Sequence, residues 1–121
     1  MPAIGTCFQL LINDEAEQNH FWVVVSEPID GQVLIVNLTG REKCPDSPCH
    51  FAIGEHPAII KPSVIYYYKA RTHDAAIMDA QLGGGRYFRV LAPFSADLVN
   101  RIREGARNAE DLTLKFLKFV S

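Results

Sequence analysis

The sequence predicts an α+β domain: a small β-barrel of five to six short strands followed by one or two C-terminal helices. Three observations lead there. Short runs rich in Val, Ile, Phe, Trp and Tyr, bounded by Gly, Pro, Asn or Asp, follow one another as far as Leu91. Clear helical spacing of apolar residues begins only after Ser95. Polar groups (His20, Thr39, Ser63) stand at the ends of the apolar runs, where a pocket forms if neighbouring strands finish together. With 121 residues the chain is expected to be one domain, 1–121.

Gly5 to Ile12 is the first expected strand, and the polar, acidic stretch 13–19 is a loop. Residues 20–26 form the second strand, whose unbroken Phe21-Trp22-Val23-Val24-Val25 predicts burial on both faces. Glu27-Pro28-Ile29-Asp30-Gly31 carries the Asp-Gly signature of a hairpin turn into the third strand, 32–39. Two prolines keep residues 40–48 out of helix and ladder. Cys49–Ile53 is a short fourth strand, broken by Gly54-Glu55-His56-Pro57, and Ser63–Tyr68 is the fifth. Residues 72–80 predict a helical turn or two, Gly83-Gly84-Gly85 a turn, and 86–91 a last strand. Ser95 is placed to N-cap a helix with Leu98, Val99, Ile102 and Ala106 on its apolar side. Leu112, Phe116, Leu117 and Val120 give a second stripe. Trp22, Val24, Leu34, Val36 and Val64 are expected to share one core.

Hydrophobic content of 48% with 21% charged residues is that of an ordinary globular chain. No apolar run approaches the ~18–20 residues of a membrane span, and Met1–Gly5 has no basic start of a signal peptide, so a cytoplasmic protein is expected. Three cysteines, an odd count, do not suggest a disulfide framework. Net charge is −2, but residues 1–40 contain no Lys or Arg while residues 61–121 contain ten against six acids. A basic face is therefore compatible with a weakly acidic whole.

Several residues are candidates for chemistry. His20 can move a proton near neutral pH at the start of the second strand. The Thr39 hydroxyl can bond an anionic oxygen, with Gly40 allowing close approach. His56 is fixed between Gly54 and Pro57, beside Glu55, which can orient or charge the ring. Ser63 and Tyr66 reach the same strand ends. Tyr66-Tyr67-Tyr68 alternate faces, leaving an exposed ring able to stack on a base. Cys44, Cys49, His50 and His56 do not have convincing metal-ligand spacing, so no metal and no cofactor are expected. Gly83-Gly84-Gly85 lacks the Lys-Ser/Thr of a phosphate loop.

The order of these elements resembles the MazF/PemK-type toxin superfamily of bacterial toxin–antitoxin systems. The resemblance rests on Gly5 to Ile12, Val23-Val24-Val25-Ser26, Val33 to Thr39, Pro62-Ser63-Val64 and Arg71-Thr72-His73-Asp74, in that order along most of the chain. It implies an SH3-like barrel, a homodimer, an antitoxin protein as partner and metal-independent cleavage of single-stranded RNA. Thr39 falls where the family has a functional Thr or Ser. His20 stands where the family has Arg, and Tyr66 and Tyr68 stand where some members have Arg and Asp. On this reading the RNA 2′-hydroxyl attacks its own phosphate, with His20 and His56 as base and acid. Thr39, Ser63 and Tyr66 hold the phosphate, Arg41 or Lys61 supplies positive charge, and Tyr68 stacks on the substrate. The alternative is a non-catalytic SH3-like module that binds RNA or a protein with the same pocket.

Overall fold

The structure, a computed structural model, describes residues 2–10, 21–84 and 88–121. A six-stranded antiparallel sheet carries the fold. Its strands are β1 (Cys7–Leu10), β2 (Phe21–Val24), β3 (Gln32–Gly40), β4 (His50–Phe51), β5 (Ser63–Asp74) and β6 (Phe88–Leu91), in the spatial order β4-β5-β3-β2-β1-β6. Helix α1 (Ala75–Gly84) lies between β5 and β6, and α2 (Ala96–Asn108) follows β6. A 3₁₀ segment, Leu114–Phe119, ends the chain, so the second apolar stripe is not an α-helix. Among the described residues no helix is long and apolar enough to cross a membrane.

The β2–β3 connection is the expected Asp-Gly hairpin. Asp30 and Gly31 both have positive φ (52° and 76°), as a type I′ turn requires. Ile29 and Gln32 exchange both backbone hydrogen bonds across it.

Two expectations change at β5: the strand runs past its expected end at Tyr68, and the helix after it starts later than residue 72. The segment 72–74 is strand, not helix, because it pairs with Gln32–Leu34 on β3. Helix α1 begins only at Ala75, where the Asp74 carboxylate accepts from the Ile77 N–H at 2.9 Å as an N-cap does. Between the pairs Asn37↔Tyr66 and Ile35↔Arg71 the register slips, leaving Tyr67–Ala70 opposite Val36 alone. Such an irregularity bends a strand.

Strand alternation also replaces the single expected core with two. Val23, Val25, Leu34, Val36, Leu38, Ile65 and Tyr67 face α2 and the C-terminal segment, meeting Val99, Ile102, Ala106, Phe116 and Phe119. Phe8, Trp22, Val24, Val33 and Ile35 face the other way, onto Ala75 and Met78 of α1 and Phe88 of β6. Trp22 and Val24 thus lie across the sheet from Leu34 and Val36, and Val64 is buried outside both clusters. The β2 run is buried on both faces, as its composition predicts.

The expected barrel is not closed by backbone pairing, since β4 and β6 are the two ends of the sheet. Side chains bring those ends together. The buried His56 ring donates from Nε2 to the Ala92 carbonyl at 2.6 Å and lies 4.2 Å from the Phe94 ring. Phe51 of β4 meets Phe94 edge-on at 5.9 Å. The seam is bridged by a loop and three rings, not by a ladder.

Candidate functional site

Where β3 ends and β5 begins, a cleft of about 590 Å³ opens. Thr39, Gly40, Ser63 and Tyr66 line it from the two strands, Lys43 and Glu42 from the turn after β3, and Lys61 and Ile60 from the approach to β5. Gln9, Phe21, Leu38, Ala58 and Lys69 complete the wall. Antiparallel pairing explains the convergence: Thr39 opposes Val64 and Gly40 opposes Ser63, so hydroxyls distant in sequence share one sheet end. Ser63 Oγ donates to the Lys61 carbonyl at 2.8 Å, tying the lysine's backbone to the strand.

Among the described lining residues, Lys43, Lys61 and Lys69 stand with the single acid Glu42. Lys61 Nζ pairs with Glu42 Oε1 at 3.1 Å, both side chains being well exposed. The Glu42 carboxyl is held below the ordinary carboxylate range, first by its own backbone N–H and then by Lys61. An exposed pair of this kind contributes little to stability, and an arriving phosphate can displace the carboxylate from Lys61.

The sequence-derived candidates divide into three groups. Thr39, Ser63, Tyr66 and Lys61 come together in the cleft. Arg41 opens on a neighbouring depression that shares Glu42 and Lys61 with it. Tyr68 is 69% exposed with its ring 5.9 Å from that of Tyr66, while Tyr67 points into the core, so the alternation of the three tyrosines holds. His20 lies outside the described residues.

His56 is apart from the cleft, and both its ring nitrogens are occupied. Nδ1 accepts from the Ala58 N–H at 3.0 Å and Nε2 faces the Ala92 carbonyl, which can only accept, so the ring is the neutral Nε2–H tautomer. Its part is to bridge the seam. The Glu55 carboxylate makes its hydrogen bonds elsewhere. One carboxylate oxygen accepts from the Ala52 N–H at 2.7 Å and the other from Arg101 at 2.5 Å, and Arg101 also holds the His50 carbonyl at 2.7 Å. Arg101 pulls the Glu55 carboxyl below its ordinary range. Among the described residues no three His, Cys, Asp or Glu side chains gather as metal ligands. Burial pushes the thiols of Cys7 and Cys49 up, to about 12 and about 11.

Sequence reasoning passed over Asn37, Trp22 and Arg71. Asn37 is fully buried on β3 with neither end of its amide hydrogen-bonded, and the Trp22 Nε1–H opposite it on β2 has no acceptor. Gln81 Oε1 on α1 is a fourth such atom. A buried polar group without a partner costs about 1–3 kcal/mol. The Arg71 guanidinium lies 4.4 Å over the Trp22 ring. The available signal was an Asn inside the apolar run Val33–Leu38, a residue that strands disfavour.

No protein-family model matches this chain, and neither a curated protein nor a solved structure shows significant similarity to it.

Proposed function

We propose that the protein binds single-stranded RNA in the cleft at the β3–β5 end. The observation that carries this reading is the convergence there of Thr39, Ser63 and Tyr66 with Lys43 and Lys61, with the exposed Tyr68 ring beside that of Tyr66. Lysines and hydroxyls suit a phosphodiester, and the exposed Tyr68 ring beside half-buried Tyr66 suits an unstacked base. A duplex offers its bases to no such ring. The bent sheet with bridged ends supports an SH3-like barrel. A homodimer and an antitoxin partner belong to the same reading and rest on the family resemblance alone.

Fluorescence anisotropy with a labelled single-stranded RNA tests the binding. A Lys43→Ala/Lys61→Ala double variant weakens it and flattens its dependence on salt, by a slope of about 0.7 for each phosphate no longer neutralised. Unchanged affinity and slope in that variant end the reading.

Metal-independent cleavage is the second reading, favoured by the hydroxyls gathered around Lys61. His56 is engaged elsewhere, so the proton carriers on this reading are His20, which precedes the cleft residue Phe21 in sequence, and Tyr66. Incubation in EDTA followed by end-group analysis shows a 2′,3′-cyclic phosphate if the reading holds. Intact RNA bound at saturation leaves the binding module.

A further inference from the structure

Three residues form a row across the sheet, ending at the cleft: Trp22 on β2, Asn37 on β3 and Tyr66 on β5, each directly opposed to the next. Opposed side chains on one face have Cβ atoms about 4.5–5.5 Å apart. Tyr66 lines the cleft, whereas Trp22 and Asn37 are buried and hold three polar atoms without partners. Those atoms are an indole N–H, which only donates, and a carboxamide, which offers a donor beside an acceptor.

We propose that this row is a recognition site for a pyrimidine base, an inference that rests on the RNA-binding reading of the cleft. Cytosine and uracil both present O2, which accepts from the Trp22 Nε1–H. Cytosine N3 then accepts from Asn37 Nδ2, and its amino group donates to Oδ1. Uracil N3–H donates to Oδ1 and O4 accepts from Nδ2, which needs only the carboxamide turned over about a soft, two-fold torsion. Purines fail at the indole. Adenine presents a C–H to the indole N–H, and guanine presents an amino donor to a donor.

The site opens from the cleft. Tyr66 lines the cleft, is half-buried and is directly opposed to Asn37, so on this proposal rotation of its ring away from β3 opens the amide to the cleft. The Tyr66 ring already lies 5.9 Å from that of exposed Tyr68, on which the entering base can stack. Arg71, stacked on Trp22, holds the indole plane in the row.

Trp22 is the chain's one tryptophan, so its fluorescence reports on this site alone. The test titrates the protein with CMP, UMP, AMP and GMP while following that emission. In parallel, labelled oligo-U, oligo-C and oligo-A are followed by anisotropy. The expected result is a Trp22 response to CMP and UMP with roughly ten-fold preference over the purine nucleotides. Asn37→Leu removes the preference and leaves Tm unchanged or higher, because an apolar side chain of similar size has no amide to satisfy. Trp22→Phe, read by anisotropy, keeps a ring without the N–H and also loses the preference, which serves if Asn37→Leu does not fold.

Equal or stronger response to purines overturns the proposal. So does an Asn37→Leu protein with lowered Tm and intact preference, which would mean that ordered water satisfies the amide. Oligonucleotides that bind without base preference and without a Trp22 change overturn it too, leaving RNA binding in place. Pyrimidine nucleotides that bind while the oligonucleotides do not uphold this site and remove the RNA reading. Silence in both assays overturns both.

Discussion

His56 and Asn37 are both buried polar side chains, and they sit in opposite surroundings. The His56 imidazole spends both nitrogens on backbone groups, Ala58 N–H and Ala92 C=O, and packs on Phe94. The Asn37 amide, at the middle of a sheet face, has no partner at either end. A buried polar group with its partners built in fixes structure. One left without them costs stability unless something outside the chain supplies the missing bonds. The sequence drew attention to the first, because Gly54-Glu55-His56-Pro57 has the residue types of a site. Tertiary structure moves that attention to the second.

Replacement of His56 by Ala gives the largest effect expected from this contrast. It removes two hydrogen bonds and a ring packed at the seam, so stability falls by about 2–4 kcal/mol in chemical denaturation. A His56→Ala protein as stable as the parent would show that the seam does not depend on the ring. Asn37→Leu should lie on the other side of zero, neutral or stabilising by up to about 1–2 kcal/mol. A loss comparable with that of His56→Ala would erase the distinction between the two regions.

Cysteine chemistry separates them further. With thiols pushed up to about 12 and about 11, Cys7 and Cys49 hold almost no thiolate at pH 8, and both are buried. Iodoacetamide should therefore modify the half-buried Cys44 first, as peptide mapping would show. Cys49 lies beside β4, so His56→Ala should speed its modification while Asn37→Leu should not. Equal rates in both variants would mean that β4 stays in place without the strut.

The smallest effect concerns pH. Glu55 sits below its ordinary value of 4.5, mainly through Arg101, so its contribution is present above that pH. The contribution is lost as pH falls through the lower folded value. In Glu55→Gln, Tm should fall less steeply between neutral and acidic pH than in the parent. Parallel Tm curves would leave the Glu55–Arg101 pair with no measurable part in the seam.

Much of the fold was legible along the chain. The Asp30-Gly31 turn, the two-sided burial of Phe21–Val25 and the Ser95 cap follow from local chemistry, and each holds in the structure, with Ser95 Oγ accepting from the Leu98 N–H at 3.3 Å. Thr39, Ser63, Tyr66 and Lys61 were legible as a group because strand ends are marked by the residues that stop them. The helix expected at 72–80 was partly misplaced, since Thr72-His73-Asp74 has no strong preference of its own and pairing with β3 decides it. Leu117, expected in the apolar stripe, is 36% exposed while Phe119 is buried, because a 3₁₀ segment turns faster than an α-helix.

By itself the sequence determined the strands, their hairpin, the helix cap and the hydroxyls at the ends of individual strands. All of these depend on residues close together in the chain. Only the tertiary structure decided that the sheet stays open with its ends bridged by His56, and that two cores lie on its two faces. It alone set Trp22, Asn37 and Tyr66 in one row. Those features depend on register between strands far apart in sequence, where a slip such as the one opposite Val36 changes which side chains meet. No local pattern of residues encodes that register.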